Sequence, residues 1–166
     1  TYDELDRPLT VKDGENHQTT MSYDLANDAM HTTINVPQNG SVTIVKESFT
    51  DIDKRTIKQI DNNKATTFEY DGIGQLMNTI DEMTGLTTTS EYDFAGRRTK
   101  WTHPDAGENR YTYDKLGRMK TMQTANLIAS SQDVKYKYDA LGRIKSVTYP
   151  EYVGNIHNVN DLLYEY

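Results

Sequence analysis

A tyrosine–aspartate pair keeps returning along this chain, and a glycine and an arginine tend to follow three and four residues after the aspartate. The full copies are Tyr92-Asp93-Phe94-Ala95-Gly96-Arg97, Tyr113-Asp114-Lys115-Leu116-Gly117-Arg118 and Tyr138-Asp139-Ala140-Leu141-Gly142-Arg143. Looser copies are Tyr2-Asp3-Glu4-Leu5-Asp6-Arg7, Tyr23-Asp24-Leu25-Ala26-Asn27-Asp28 and Tyr70-Asp71-Gly72-Ile73-Gly74-Gln75. A degraded copy, Phe49-Thr50-Asp51-Ile52-Asp53-Lys54, reads with Asp53-Lys54 in place of Gly-Arg. The anchor aromatics at 2, 23, 49, 70, 92, 113 and 138 are 21, 26, 21, 22, 21 and 25 residues apart. A unit of that length holds two strands and two connections.

Each unit reads as a β-hairpin. In Arg110-Tyr111-Thr112-Tyr113 and Lys135-Tyr136-Lys137-Tyr138 the tyrosines share one face and polar residues the other, the period-two pattern of a strand. Asp at the first and Gly at the fourth position then specify a type I turn, with the carboxylate capping backbone N–H groups and the glycine taking the positive φ of a bulge. This register sets Tyr113 opposite Met119 and Tyr138 opposite Ile144, and lets Asp114 meet Arg118 and Asp139 meet Arg143. Return strands at Arg97–His103, Arg118–Met122 and Arg143–Tyr149 run toward Pro104 and Pro150, which end them. Asp105-Ala106-Gly107 reads as an outer turn. Thr32–Val36 and Ser41–Val45 flank Asn39-Gly40, a further hairpin signal. The polar stretch Asn16–Thr20 reads as a loop. No segment has helical periodicity; Asp51–Ile60 fits turn and strand better.

The expected fold is therefore all-β: about seven antiparallel hairpins over residues 1–166, side by side in one curved, spiralling sheet, with tyrosines at equivalent positions stacking into a ladder. Composition agrees. Only 35% of the 166 residues are hydrophobic and mean hydropathy is -0.81, yet there are 12 tyrosines, which suit a pleated, half-buried surface. The net charge of -7 argues against a non-specific nucleic-acid binder. No apolar run approaches membrane-spanning length, and with no cysteine there is no disulfide. The chain starts inside a repeat and stops at Tyr164-Glu165-Tyr166, so it reads as a piece of something longer, whose two sheet edges invite self-association.

These motifs resemble the YD repeats of the Rhs family, found also in the shell components of bacterial Tc toxin complexes and in teneurins. The resemblance spans nearly the whole chain; it is strongest from Tyr70 to Pro150 and weakest from Met21 to Asp53. It implies a segment of a β-shell, secreted or at the cell surface and bacterial rather than eukaryotic. The implied partners are neighbouring repeats and an enclosed C-terminal polypeptide of the same parent chain. Family members of the bacterial kind release their cargo through a core motif built around Asp-Pro. Here the four prolines follow Arg7, Val36, His103 and Tyr149, so that motif is missing from this segment.

Candidates for chemistry are few. His17, His31, His103 and His157 lie too far apart in sequence to suggest a metal site, and Asp51-Ile52-Asp53 and Asp61-Asn62-Asn63 lack the glycine and distal glutamate of an EF-hand loop. No nucleophile-and-base constellation stands out, so neither enzyme activity nor a cofactor is expected. The residues assigned a role are structural: Tyr2, Asp3, Arg7, Tyr23, Asp24, Tyr70, Asp71, Gly74, Tyr92, Asp93, Gly96, Arg97, Tyr113, Asp114, Gly117, Arg118, Tyr138, Asp139, Gly142 and Arg143. Trp101 stands apart from the repeat and is the candidate exposed contact, which leaves an adhesion or glycan-binding module as the alternative function. Asn39-Gly40-Ser41 satisfies the glycosylation sequon, though its turn explains it better.

Overall fold

Successive segments of alternating aromatic and polar residues pair with their immediate neighbours throughout. The computed structural model describes residues 1–38, 42–150 and 162–164 and divides into two units, Thr1–Thr87 and Thr88–Tyr166. The first holds β1 (Thr10–Lys12), β2 (Gln18–Ala26), β3 (Ala29–Gln38), β4 (Val42–Thr50), β5 (Thr56–Asp61), β6 (Lys64–Tyr70) and β7 (Leu76–Asp81). The second holds β8 (Thr87–Tyr92), β9 (Arg98–His103), β10 (Gly107–Tyr113), β11 (Met119–Gln123), a five-residue helix α1 (Ala125–Ala129), β12 (Val134–Tyr138), β13 (Ile144–Thr148) and β14 (Leu162–Leu163). Within each unit every strand runs antiparallel to the next in sequence. The chain is an all-β array of antiparallel hairpins.

Register follows turn chemistry. Tyr113 faces Met119 and Tyr138 faces Ile144, each after a one-residue shift in the ladder. The shift is the bulge that Asp-x-x-Gly introduces: Gly74, Gly96, Gly117 and Gly142 have φ between 79° and 89°. Strands β9 and β13 stop at His103 and Thr148, one residue before Pro104 and two before Pro150. Asn62 and Asn63, both at positive φ, close β5 onto β6 as a two-residue primed turn. The Asn39-Gly40-Ser41 turn lies outside the described residues, although β3 and β4 pair as far as Gln38 opposite Val42.

Two sequence expectations are corrected. Asn16–Thr20 is not a loop, because Gln18–Thr20 already belong to β2 and pair with β1. The turn before it, Asp13 to His17, uses the same geometry as the repeat, with Asn16 (φ 66°) where the others have glycine. A helix also exists: α1 occupies the β11–β12 connection, too short for any periodicity to show.

The array has almost no interior. Among the described residues only Ala29, Ser90, Val134, Ser146 and Val147 are buried, and no large side chain is fully enclosed. Burial of apolar area therefore cannot hold it together as it holds a two-layer domain. Polar pairs cross the strands instead: Lys58 Nζ lies 2.8 Å from Glu82, Lys100 reaches both Glu91 and Glu108, and the hydroxyls of Thr112 and Thr121 are 2.6 Å apart. Exposed pairs of this kind contribute little singly.

Gly107 tests the outer connections. Its φ is 72°, and a Cβ placed on it would lie 2.8 Å from the Ala125 Cβ of α1. Gly107→Ala is expected to lower stability to urea by at least about 1–2 kcal/mol, the cost of a left-handed non-glycine residue. Adding Ala125→Gly should relieve the overlap and recover part of the loss.

Candidate functional site

The site is the junction between one turn and the next unit's tyrosine. In the turn itself the backbone closes twice: Gly117 N–H donates to the Asp114 carbonyl at 3.0 Å, and Asp114 N–H to the Arg118 carbonyl at 2.8 Å. The Asp114 carboxylate accepts from the backbone N–H groups of Leu116 and Arg118 through Oδ1, leaving Oδ2 for the Arg118 guanidinium at 2.7 Å. Asp93 with Arg97 and Asp139 with Arg143 repeat this arrangement, each with a 2.7 Å side-chain bond, and Asp3 with Arg7 does so at 2.6 Å. Asp71 caps the N–H groups of Ile73 and Gln75 in the same way, with Gln75 standing where arginine would be.

Arg7, Arg97 and Arg118 each then cover the tyrosine of the following repeat. The guanidinium carbon of Arg97 lies 4.7 Å from the Tyr113 ring centre and that of Arg118 lies 4.5 Å from Tyr138; Arg7 and Tyr23 are 4.3 Å apart. The tyrosine hydroxyl donates past the arginine to the carbonyl of the next residue along: Tyr113 to Arg98 at 2.7 Å, Tyr138 to Met119 at 2.8 Å, Tyr23 to Pro8 at 2.9 Å. Planar charge over an aromatic face is an attractive arrangement, and the hydroxyl adds a directional bond. The expected tyrosine-on-tyrosine ladder is thus replaced: the ring contacts between units at these positions alternate arginine with tyrosine. In β8, Tyr92 has Arg98 at 6.0 Å from its ring.

The degraded unit uses a different frame from the one its aromatic suggests. Thr50, not Phe49, pairs across the bulge with Thr56, so Thr50 occupies the tyrosine position. Asp51 is the turn aspartate, Lys54 (φ 62°) takes the glycine position and Arg55 the arginine position, in place of the Asp53-Lys54 reading. Arg55 accordingly lies 5.2 Å from the Tyr70 ring, and the Tyr70 hydroxyl donates to the Thr56 carbonyl at 2.9 Å. An aspartate-to-arginine spacing of four was the available signal; the aromatic one residue out of place obscured it.

Asp24 is the other departure. It sits inside β2 opposite His31, because Asn27 and Asp28, both at positive φ, close a two-residue primed turn. No Asp-x-x-Gly turn forms there, although Tyr23 still joins the preceding unit. His31 has its Nδ1 2.8 Å from Asp24 and its Nε2 2.8 Å from Glu47, and its ring stacks on Phe49 at 4.4 Å. This histidine–phenylalanine stack lies one residue outside the position where arginine and tyrosine meet elsewhere, which Met30 and Thr50 occupy here. Tyr2 pairs with Pro8 and is largely exposed.

The carboxyls of Asp3, Asp51, Asp93, Asp114 and Asp139 titrate below the ordinary aspartate value of 3.8. At Asp93 the hydrogen bond from the Arg97 side chain is the chief cause, followed by that from its backbone N–H. At Asp3, Asp51, Asp114 and Asp139 partial desolvation is the largest influence and pulls upward, but the bonds from the arginine backbone and side chain together outweigh it. Burial pushes the Tyr113 hydroxyl up.

The remaining candidates are dispersed. His17 pairs with Asp13, and the His103 ring accepts the Asp105 N–H; His157 lies outside the described residues. Trp101 is half-buried in β9 with its ring 5.5 Å from His103, which leaves less of it open to a sugar than its sequence position suggests. Among the described residues no three His, Cys, Asp or Glu groups come together as a metal site.

Two measurements check the junction. Tyr138→Phe should cost about 0.5–1.5 kcal/mol in urea unfolding, the usual net value of one hydrogen bond, with strand content unchanged by circular dichroism. A depressed carboxyl contributes stability at pH values above its unfolded pKa, and that stability is lost as the pH falls through the folded value. The unfolding midpoint should therefore hold at neutral pH and drop as the pH falls below 3.8, more steeply in the wild type than in Asp93→Asn.

A family model, the Teneurin YD-shell, matches residues 46–154. Comparison with curated protein sequences gave no match. Among solved structures, the chain resembles that of TcdB2-TccC3 without its hypervariable C-terminal region, at 16% identity and a TM-score of 0.56, over 80% of this chain and 8% of that chain. At that identity the likeness concerns the fold alone. The family model spans more than half the sequence and covers Arg55 with Tyr70, Arg97 with Tyr113 and Arg118 with Tyr138, and the chain belongs to the Teneurin YD-shell family.

Proposed function

We propose that this array is a stretch of wall in a hollow β-shell, and that the shell, part of a longer secreted or cell-surface chain of bacterial rather than eukaryotic origin, encloses a C-terminal polypeptide of the same chain. The observation that carries this reading is a repeat array with almost no interior of its own. A sheet that encloses nothing between layers of its own suits a partition between two spaces. Family membership as a YD-shell supports the same reading. TcdB2-TccC3 was solved without a hypervariable C-terminal region, and the proposal gives the parent of this chain a comparable segment as cargo.

The role of the wall is physical, not catalytic. Most hairpins at the junction end are closed by a capping aspartate and a residue at positive φ, and four junctions are made by arginine on tyrosine, so strength runs along the sheet. Cross-strand pairs such as Glu91 with Lys100 and Glu69 with Asn78 keep exposed positions polar and mutually satisfied. Such a surface holds a partly folded chain without offering it extended apolar ground to bind.

Electron cryomicroscopy of the full-length parent protein tests the proposal. The expected result is a closed shell of YD hairpins with polypeptide density inside it. A map in which the hairpins bound no enclosed volume would overturn it.

A further inference from the structure

Continuing the register of each strand pair sets the junction arginine directly opposite its tyrosine. Arg7 faces Tyr23 beyond β1–β2, Arg55 faces Tyr70 beyond β5–β6, Arg97 faces Tyr113 beyond β9–β10 and Arg118 faces Tyr138 beyond β11–β12. Between β3 and β4 the same place falls to Met30 and Thr50. Methionine is an unbranched chain like arginine without the planar head, whereas threonine lacks the whole of a tyrosine ring. A cleft of about 510 Å³ opens at this joint with both residues in its wall, a size ordinary for a small-ligand site. Leu25, Met30 and Ile52 make it largely apolar, and Leu25 and Ile52 are 79% and 94% exposed at its rim. Thr50, Asp28 and Lys54 supply polar groups, while Asp51 is tied to Arg55.

We propose that this cleft binds a single phenol ring, free or carried on a tyrosine side chain. The occupant is singled out by the other repeats. At four equivalent places a tyrosine ring lies against the residue opposite it, and the arginine–tyrosine row runs on at both sides of the cleft, through Arg7 with Tyr23 and Arg55 with Tyr70. Between Met30 and Thr50 the strands supply no ring, so one must come from outside the strand pair.

The wall favours a ring over the other missing group, a guanidinium. The Met30 thioether is a good partner for an aromatic edge or face. Cations already flank it: Arg7 Nη1 lies 3.6 Å from Met30 Sδ, and Lys54 holds the glycine position of its turn. At the corresponding Gly117, Arg97 Nη1 passes 3.4 Å from where a Cβ would stand, so the Lys54 side chain starts in the room that a guanidinium uses elsewhere. Positive charge beside the cleft suits the negative face of a ring. The Asp28 carboxylate, also in the wall, is an acceptor for the phenol hydroxyl. One ring is a small ligand, so binding is expected at roughly millimolar concentration. The inference goes beyond the enclosing role proposed above and does not depend on it.

Methyl NMR of the 166-residue chain, labelled at its six methionines and titrated with p-cresol, tests the proposal. The Met30 signal, assigned with Met30→Leu, should move upfield under the ring and saturate, while that of the more exposed Met83 stays in place. The same response to N-acetyltyrosinamide would extend the site to tyrosine side chains; a response to p-cresol alone would confine it to free phenols. Thr50→Tyr supplies the ring from within, so it should move the Met30 signal upfield without ligand and abolish the p-cresol response. Ile52→Ser, at the exposed rim and outside the strand ladder, should weaken p-cresol binding about threefold or more through lost apolar contact, and it keeps the test in force should Thr50→Tyr not fold. No saturable shift at Met30, an equal shift at Met83, or a p-cresol response unchanged in Ile52→Ser overturns the proposal. So does a saturable shift with methylguanidinium and none with p-cresol.

Discussion

A guanidinium shared between neighbours is what the rest of this structure depends on. Arg97 and Arg118 each hold the aspartate of their own turn through the edge of the group, and present its face to the tyrosine of the next unit. One side chain thereby fixes a local turn and a distant junction at once. Lysine could supply the charge but not the planar fork and the stacking face together. The tyrosine hydroxyl completes the junction by bonding to the backbone just beyond the arginine, so ring position and strand register are set by the same contact.

Most of the hairpin architecture was legible because turn chemistry is local. Asp-x-x-Gly names its own conformation, and the facing pairs Tyr113 with Met119 and Tyr138 with Ile144 follow by counting outward from it. What joins one hairpin to the next was less legible. Tyrosines recurring at one position suggest contact with one another, yet the arginines intervene, and a periodic sequence does not reveal which of two periodic residues reaches across. The frame around Asp51 was misread because an aromatic was taken as the anchor where the true marker is the aspartate–arginine spacing. Asp24 was misread for the opposite reason: the Tyr-Asp pair is present, but Asn27-Asp28 offers the chain a tighter turn three residues later.

The two ends of the hairpins differ in how much variation they admit. At the junction end, five aspartates reach the same hydrogen-bonded geometry with their arginines, and glycine, aspartate or lysine supplies the positive φ. The far end is closed by an Asp13–His17 turn, by Asn62-Asn63, by a proline-led turn at Pro104 and by the helix α1. The helix lengthens the path from Arg118 to Tyr138, and the contact between them is kept. Precision is concentrated where arginine meets tyrosine, and the other connections need only return the chain.

The scarcity of buried side chains has a consequence for size. A globular domain gains stability per residue as it grows, because its interior expands faster than its surface, and beyond a few hundred residues it must divide. An array held by nearest-neighbour junctions gains the same increment from each added unit. Its length is therefore free of the constraint that limits a core, and lengthening the sheet requires only another copy of the same joint.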